Sequence, residues 1–129
     1  MKSIEDLEKK INSELNTKIN SSKIKHRLIY LNIDETDLLD VMLFLKSNNE
    51  TKFRQLIDIT AVDYPDKDTR FKLVYLLLSH ENNHRILIDF YIKEKEIVSS
   101  LTSIFPSSNW MEREVFDMYG IEFKDHPDL

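Results

Sequence analysis

Apolar residues recur at Ile4, Leu7, Ile11 and Leu15, with Glu and Lys between them. That is the helical period, and it predicts an amphipathic helix over residues 3–16 followed by a polar linker from Asn16 to Ser22. From Lys23 to Ile33 the period drops to two, predicting one strand. Arg27, Ile29, Leu31 and Ile33 lie on one side of it; His26, Leu28, Tyr30 and Asn32 lie on the other. Asp34-Glu35-Thr36-Asp37 offers cap oxygens and first-turn carboxylates to a helix carrying Leu38, Leu39, Val41, Met42, Phe44 and Leu45, which Ser47-Asn48-Asn49 ends.

Phe53 to Val62 reads as a strand, Tyr64-Pro65-Asp66-Lys67-Asp68 as a turn, and Phe71 to Leu78 as the next strand. His80-Glu81-Asn82-Asn83-His84 makes a hairpin loop, with Asn in place of Gly, and Arg85 to Ile92 returns. In Leu73 to Leu78 both alternating sets are apolar, so both faces of that strand should be covered. Helices supply one cover; another layer or another subunit must supply the second. After Glu94-Lys95-Glu96, Val98 to Phe105 reads as a short helix, Pro106-Ser107-Ser108 breaks it, and a last helix starts at Asn109. The expected architecture is α+β in a single domain: a mixed or antiparallel sheet of about four strands with about four helices. Residues 1–22 form the N-terminal helix and linker of this scheme, and residues 23–129 its main body.

Around the last helix, at ~100° per residue from Trp110, the residues Met111, Met118, Val115, Tyr119 and Phe116 span ~80° to ~240°. Arg113, Asp117 and Glu114 share the opposite face, at spacings that allow ion pairs. Glu112 falls near ~200°, on the apolar side. Asn109-x-x-Glu112 has capping-box spacing, and Gly120 stands where a left-handed residue would end the helix. Glu112 and Glu114 point ~200° apart and cannot share one substrate atom. Arg113 beside Glu114 and Asp117 is expected to pair with both, which suits neither a general acid nor a shared proton. A structural or interface role is favoured over catalysis.

Composition narrows the chemistry further. There is no Cys, which excludes disulfides, cysteine-held zinc or iron–sulfur clusters, and thiol catalysis on these 129 residues. Gly120 is the only glycine, so no glycine-rich phosphate loop is possible. A net charge of −5 without a Lys/Arg cluster gives no reason to expect nucleic acid. The acidic start, Met1 to Glu8, resembles neither a secretory signal nor a transit peptide, and no apolar run approaches the ~20 residues of a membrane span.

Other candidates are weaker. His80 and His84 are four apart but lie in a loop, whereas metal binding at that spacing needs a helix. The series Asp58, Asp63, Asp66, Asp68 lacks the glycine and final Glu of a calcium loop. Glu114, Asp117 and His126 could serve a small metal-dependent hydrolase, and the same surfaces a free-standing adaptor; both stand as alternatives.

Two blocks carry a resemblance. The first joins Phe53-Arg54-Gln55-Leu56-Ile57-Asp58-Ile59-Thr60-Ala61-Val62-Asp63-Tyr64-Pro65 to Arg70 through Ser79. The second runs from Ile104-Phe105-Pro106-Ser107-Ser108-Asn109-Trp110-Met111-Glu112-Arg113-Glu114 to His126-Pro127-Asp128-Leu129. Together they resemble the thirty-kilodalton subunit of respiratory complex I, the C subunit of bacterial NADH:quinone dehydrogenase, over about residues 24–129.

The resemblance implies an α+β core subunit of the peripheral arm, with no catalytic, cofactor-binding or metal-binding residue of its own. FMN, iron–sulfur clusters and quinone would sit on partner subunits. The implied neighbours are the large quinone-site subunit and its cluster-bearing companion, and the implied reaction is NADH-to-quinone electron transfer coupled to proton pumping. Asn109, Trp110, Glu112, Arg113, Glu114, Asp117, Tyr119, Gly120, His126, Pro127 and Asp128 would be signature residues of structure and interface. One departure is that the family continues past His-Pro-Asp-Leu into a tail that wraps its neighbour. Lys-, Asn- and Ile-rich usage fits AT-rich coding. The first expected location is the matrix side of the mitochondrial inner membrane, as an organelle-encoded subunit. The second is the cytoplasmic face of a bacterial plasma membrane.

Overall fold

Ser3 Oγ accepts the backbone N–H of Asp6 at 3.1 Å and opens helix α1, Ile4–Glu14, in the computed structural model, which describes residues 1–128. Glu5 and Asp6 in the first turn suit the positive end of the helix dipole. The apolar stripe goes inward: Leu7 and Ile11 are fully buried and Leu15 nearly so.

The single strand expected over Lys23 to Ile33 is in fact a hairpin. Strands β1, Ser21–Lys25, and β2, Leu28–Asn32, pair antiparallel across a two-residue turn. His26 and Arg27 both take positive φ, 52° and 63°, the mirror-image turn that matches strand twist. Alternation runs unbroken through this turn, so only an Asn-Gly signal could have marked it, and neither residue is present.

A 3₁₀ turn at Glu35–Asp37 leads into α2, Leu38–Ser47. Neither Asp34 nor Asp37 caps with its side chain, contrary to expectation. Asp34 instead accepts the Asn20 amide at 3.0 Å, and Glu35 accepts the Ser99 N–H at 2.9 Å.

Strands β3, Gln55–Asp63, β4, Phe71–Ser79, and β5, His84–Ile92, form an antiparallel meander. Asn83 takes the left-handed turn position, φ 56°. Buried Asn82 donates to Glu50 O and Thr51 O, tying that turn to the loop after α2. Arg70 clamps Asp63 with two bonds of 2.7 and 2.8 Å across the β3–β4 turn and holds its carboxyl below the usual range. The sheet order is β1-β2-β5-β4-β3, and β2 joins β5 in parallel. The α+β class stands, with five strands in the sheet rather than about four.

The two sheet faces differ sharply. On one face Leu56, Ile59, Phe71, Leu73, Tyr75, Leu77, Ile86, Ile88, Phe90, Ile29 and Leu31 are buried, and they join the apolar sides of α1 and α2 in one core. On the other face Val74, Leu76, Leu78, Leu87, Leu28 and Tyr30 are only half-buried. The strand expected to be covered on both faces is therefore covered on one.

Val98 to Phe105 is not a helix. Val98–Ser99 forms strand β6, paired in parallel with β7, Phe123–Lys124, and turns follow. Val98 N–H and Ser100 N–H donate to Glu122 O and Lys124 O, which takes both amides out of helical reach. The last helix, α3, spans Ser108–Tyr119, and packs Val115, Met111 and Tyr119 against the core beside β3. The observed helices are three α-helices and one 3₁₀ turn among the described residues.

Candidate functional site

Glu112 projects from the inner side of α3 and is fully buried. Its carboxylate accepts the Ser100 hydroxyl at 2.6 Å and the Leu101 N–H at 2.7 Å. The capping box with Asn109 is therefore not formed: Glu112 reaches across to another segment, and the Asn109 N–H donates to Pro106 O. Two short bonds of this kind favour the charged carboxylate, yet burial outweighs them and raises its pKa above the ordinary 4.5. Among the described residues the Tyr75 hydroxyl, on β4, is buried without a hydrogen-bond partner, and the buried Ser108 hydroxyl, in the first turn of α3, lies beside the Glu112 carboxylate and favours its charged form. Burial, with Glu112 and Glu35 nearby, holds the Tyr75 phenol well above its usual range.

His126 closes the other side of this pocket. Its side chain is buried, with Nε2 4.0 Å from the Glu112 carboxylate. The Nε2–H donates to Asn109 O at 2.8 Å, and Nδ1 accepts the Asp128 N–H at 3.0 Å. Those two partners fix the proton on Nε2. The Asn109 amide donates to Asp128 at 2.9 Å, so both ends of the His126-Pro127-Asp128 segment are tied to the start of α3. Pro127 is exposed between them, and Leu129 lies outside the described residues.

The outer side of α3 has the opposite character. Arg113, Glu114 and Asp117 are exposed, and among the described residues no ion pair joins Arg113 to Asp117. Trp110 is 66% and Met118 74% exposed, a large apolar surface for a helix this short. The helical angles put Met118 on the core side, but at the rim of the stripe it points out. Tyr119 packs edge-on against Phe71 with ring centroids 6.1 Å apart. Gly120 ends the helix at φ 73°, its N–H donating to Phe116 O.

The three hydrolase candidates are not brought together: Glu114 and Asp117 face outward while the His126 side chain faces the Glu112 pocket. Among the described residues no group of three His, Cys, Asp or Glu could hold a metal. His80 bonds Gln55 and His84 bonds Lys2 O, in different directions. Sequence reasoning missed Ser100, Leu101, Ser108, Tyr75 and Glu35 around Glu112. The one signal was the ~200° angle that set Glu112 on the apolar side.

Residues 31–129 match the family model described as respiratory-chain NADH dehydrogenase, 30 Kd subunit. The C subunit of the NADH-quinone oxidoreductase of Ruegeria pomeroyi is 50% identical over 101 residues, covering 77% of this chain and 50% of that protein. Its counterpart in Ruegeria sp. (strain TM1040) is 38% identical over 129 residues, covering 100% of this chain and 64% of that protein. A solved structure described as the trypsin-resistant fragment (1–134) of Nqo5 superposes with TM-score 0.80 at 25% identity, over 99% of this chain and 100% of the fragment. The chain spans about half the length of the curated relatives it matches.

Proposed function

We propose that this chain, which belongs to the family of the 30 kDa subunit of respiratory-chain NADH dehydrogenase, is a non-catalytic structural subunit of the peripheral arm of a proton-pumping NADH:quinone oxidoreductase. The observation that carries this reading is the two-sided helix α3. Its one inward carboxylate is spent on holding residues 100–101, and its outward Trp110, Arg113, Glu114, Asp117 and Met118 face solvent.

The work proposed for these residues is structural. Glu112, Asn109, His126 and Asp128 hold α3, residues 100–101 and the 126–128 segment in one arrangement; Gly120 ends the helix cleanly; Pro127 stiffens the segment between its two ties. The outer residues meet a neighbouring subunit, in the first place the large quinone-site subunit and then its cluster-bearing companion. FMN, iron–sulfur clusters and quinone belong to those partners. The exposed side of α1, within residues 1–22, is an additional docking element, while its inner side, Leu7, Ile11 and Leu15, belongs to the core. The chain reaches the membrane only through the assembled complex. The relatives named are bacterial, which favours the cytoplasmic face of a plasma membrane. The matrix face of a mitochondrial inner membrane is the equivalent place for an organelle-encoded copy.

Replacing Arg113 by Ala tests the role. It is expected to lower the amount of assembled complex on a native gel while NADH:quinone turnover per assembled complex stays unchanged. Normal assembly with lost turnover would overturn the reading. Neither the geometry nor the comparisons support the hydrolase or a free-standing adaptor.

A further inference from the structure

The uncovered sheet face has an ordered layout fixed by strand register. Along β4 it carries Leu78, Leu76, Val74 and Lys72; along β5, Arg85, Leu87, Asp89 and Tyr91; along β2, Leu28, Tyr30 and Asn32. The edge strands add Lys25 and Lys23 from β1, and Gln55, Asp58, Thr60 and Val62 from β3. All three helices lie away from this face, since their buried residues join the core on the other side. An aliphatic strip of Leu28, Leu87, Leu78, Leu76 and Val74, with Tyr30, is left half-exposed. It crosses three strands, ~10 Å at ~4.8 Å spacing, and runs ~14 Å along β4. One α-helix is about that wide, and ~14 Å is two to three of its turns.

The charges around the strip are uneven. Lys23, Lys25, Arg27 and Arg85 gather at the β1 side and at the turn end, and Lys25, Arg27 and Arg85 are exposed. None of the four forms an ion pair among the described residues; Lys9, Lys52 and Lys124 elsewhere form none either, but these four are gathered at one end of the strip. Lys23 rests over the Tyr30 ring at 5.4 Å, which leaves its charge free to meet an anion. Asp89 is already held by Asn32 at 2.6 Å and Lys72 at 3.7 Å. In a chain of net charge −5, this local excess of unpaired cations calls for an acidic partner.

We infer that this face receives an amphipathic helix of a neighbouring subunit, with its apolar side on the leucine strip and acidic residues flanking it toward Lys23, Lys25 and Arg85. The inference rests on the subunit role proposed above and adds to it a second docking surface, separate from the outer side of α3. A bilayer is the poorer occupant: the leucines are half-buried in a pleated face and do not protrude, and Asp58 and Asp89 share that face.

Photocrosslinking in the assembled complex tests it, with benzoylphenylalanine placed at Leu76 in one strain and at Trp110 in another. The expected result is a crosslink from position 76 to a helix of another subunit with Asp or Glu flanking its apolar side. The triple reversal Lys23→Glu, Lys25→Glu, Arg85→Glu should lower the salt concentration that strips the subunit from the complex by about twofold or more. Crosslinks from position 76 to a second copy or to lipid would overturn the inference. So would a silent position 76 beside a productive position 110, and that outcome leaves the subunit role standing. Silence at both, with no co-purification of the chain with the complex, would overturn the role as well.

Discussion

Glu112 satisfies two buried donors at once, so its removal is felt twice. Glu112→Ala leaves the Leu101 N–H without an acceptor, leaves the Ser100 hydroxyl only Thr102 Oγ1 to bond, and opens a small cavity, a cost of about 3 kcal/mol. Glu112→Gln keeps the volume and one acceptor and should cost about 1 kcal/mol; urea unfolding of the two variants checks the difference. The same residue sets a pH dependence. Its folded pKa lies above the unfolded value near 4.5, so its contribution is largest below about pH 4.5 and falls as pH rises through the folded value. Urea midpoints should show this downward step in the wild type and lose it in Glu112→Gln. Helical angles were enough to place Glu112 among apolar residues. Its partners were illegible because Ser100 and Leu101 lie in a stretch whose local pattern reads as helix, and only tertiary pairing of β6 with β7 turns it into strand and turn.

At the level of elements, α3 depends on its stop. Gly120 has open space where a Cβ would go, so Gly120→Ala adds strain at φ 73° without a clash. It should cost about 1 kcal/mol in thermal unfolding, and Gly120→Asn less. The β1–β2 turn makes the reverse prediction. His26 and Arg27 occupy left-handed positions that Asn and Gly prefer. The double change His26→Asn, Arg27→Gly should therefore stabilise by about 1 kcal/mol, read from the same melts. Helices α1 and α3, the meander β3–β5 and its Asn turn were all legible, because period and turn chemistry agree there. The hairpin was not, because a two-residue turn preserves the alternation on both sides and its residues carry no turn preference.

For the whole molecule, the lopsided cover of the sheet is the dominant feature. Every helix stacks on one side, and a strand with apolar residues on both sides ends up half-dressed. The apolar pattern led to the expectation of a cover on both faces; the chain itself supplies one. Leu76→Thr, which suits a strand and adds no charge opposite Asp58, should change stability of the isolated chain little, by about 1 kcal/mol, while reducing incorporation into the complex. A loss of several kcal/mol in the isolated chain would mean that the face is covered from within.

The parallel junction of β2 with β5 has a kinetic consequence. Leu28 pairs with Arg85, so this seam cannot close until the chain beyond β5 has been synthesised, while β3, β4 and β5 zip through short turns. Long loops delay pairing more than they weaken it. Helix α1 and its hairpin, made before the meander, are expected to keep Leu7, Ile11, Ile29 and Leu31 unshielded until that seam closes. Mutations in β2 should then speed unfolding more than they slow folding, and those in the β4–β5 hairpin the reverse. The hairpin β1–β2 is thus expected to join the sheet last, although it is made before the meander that receives it.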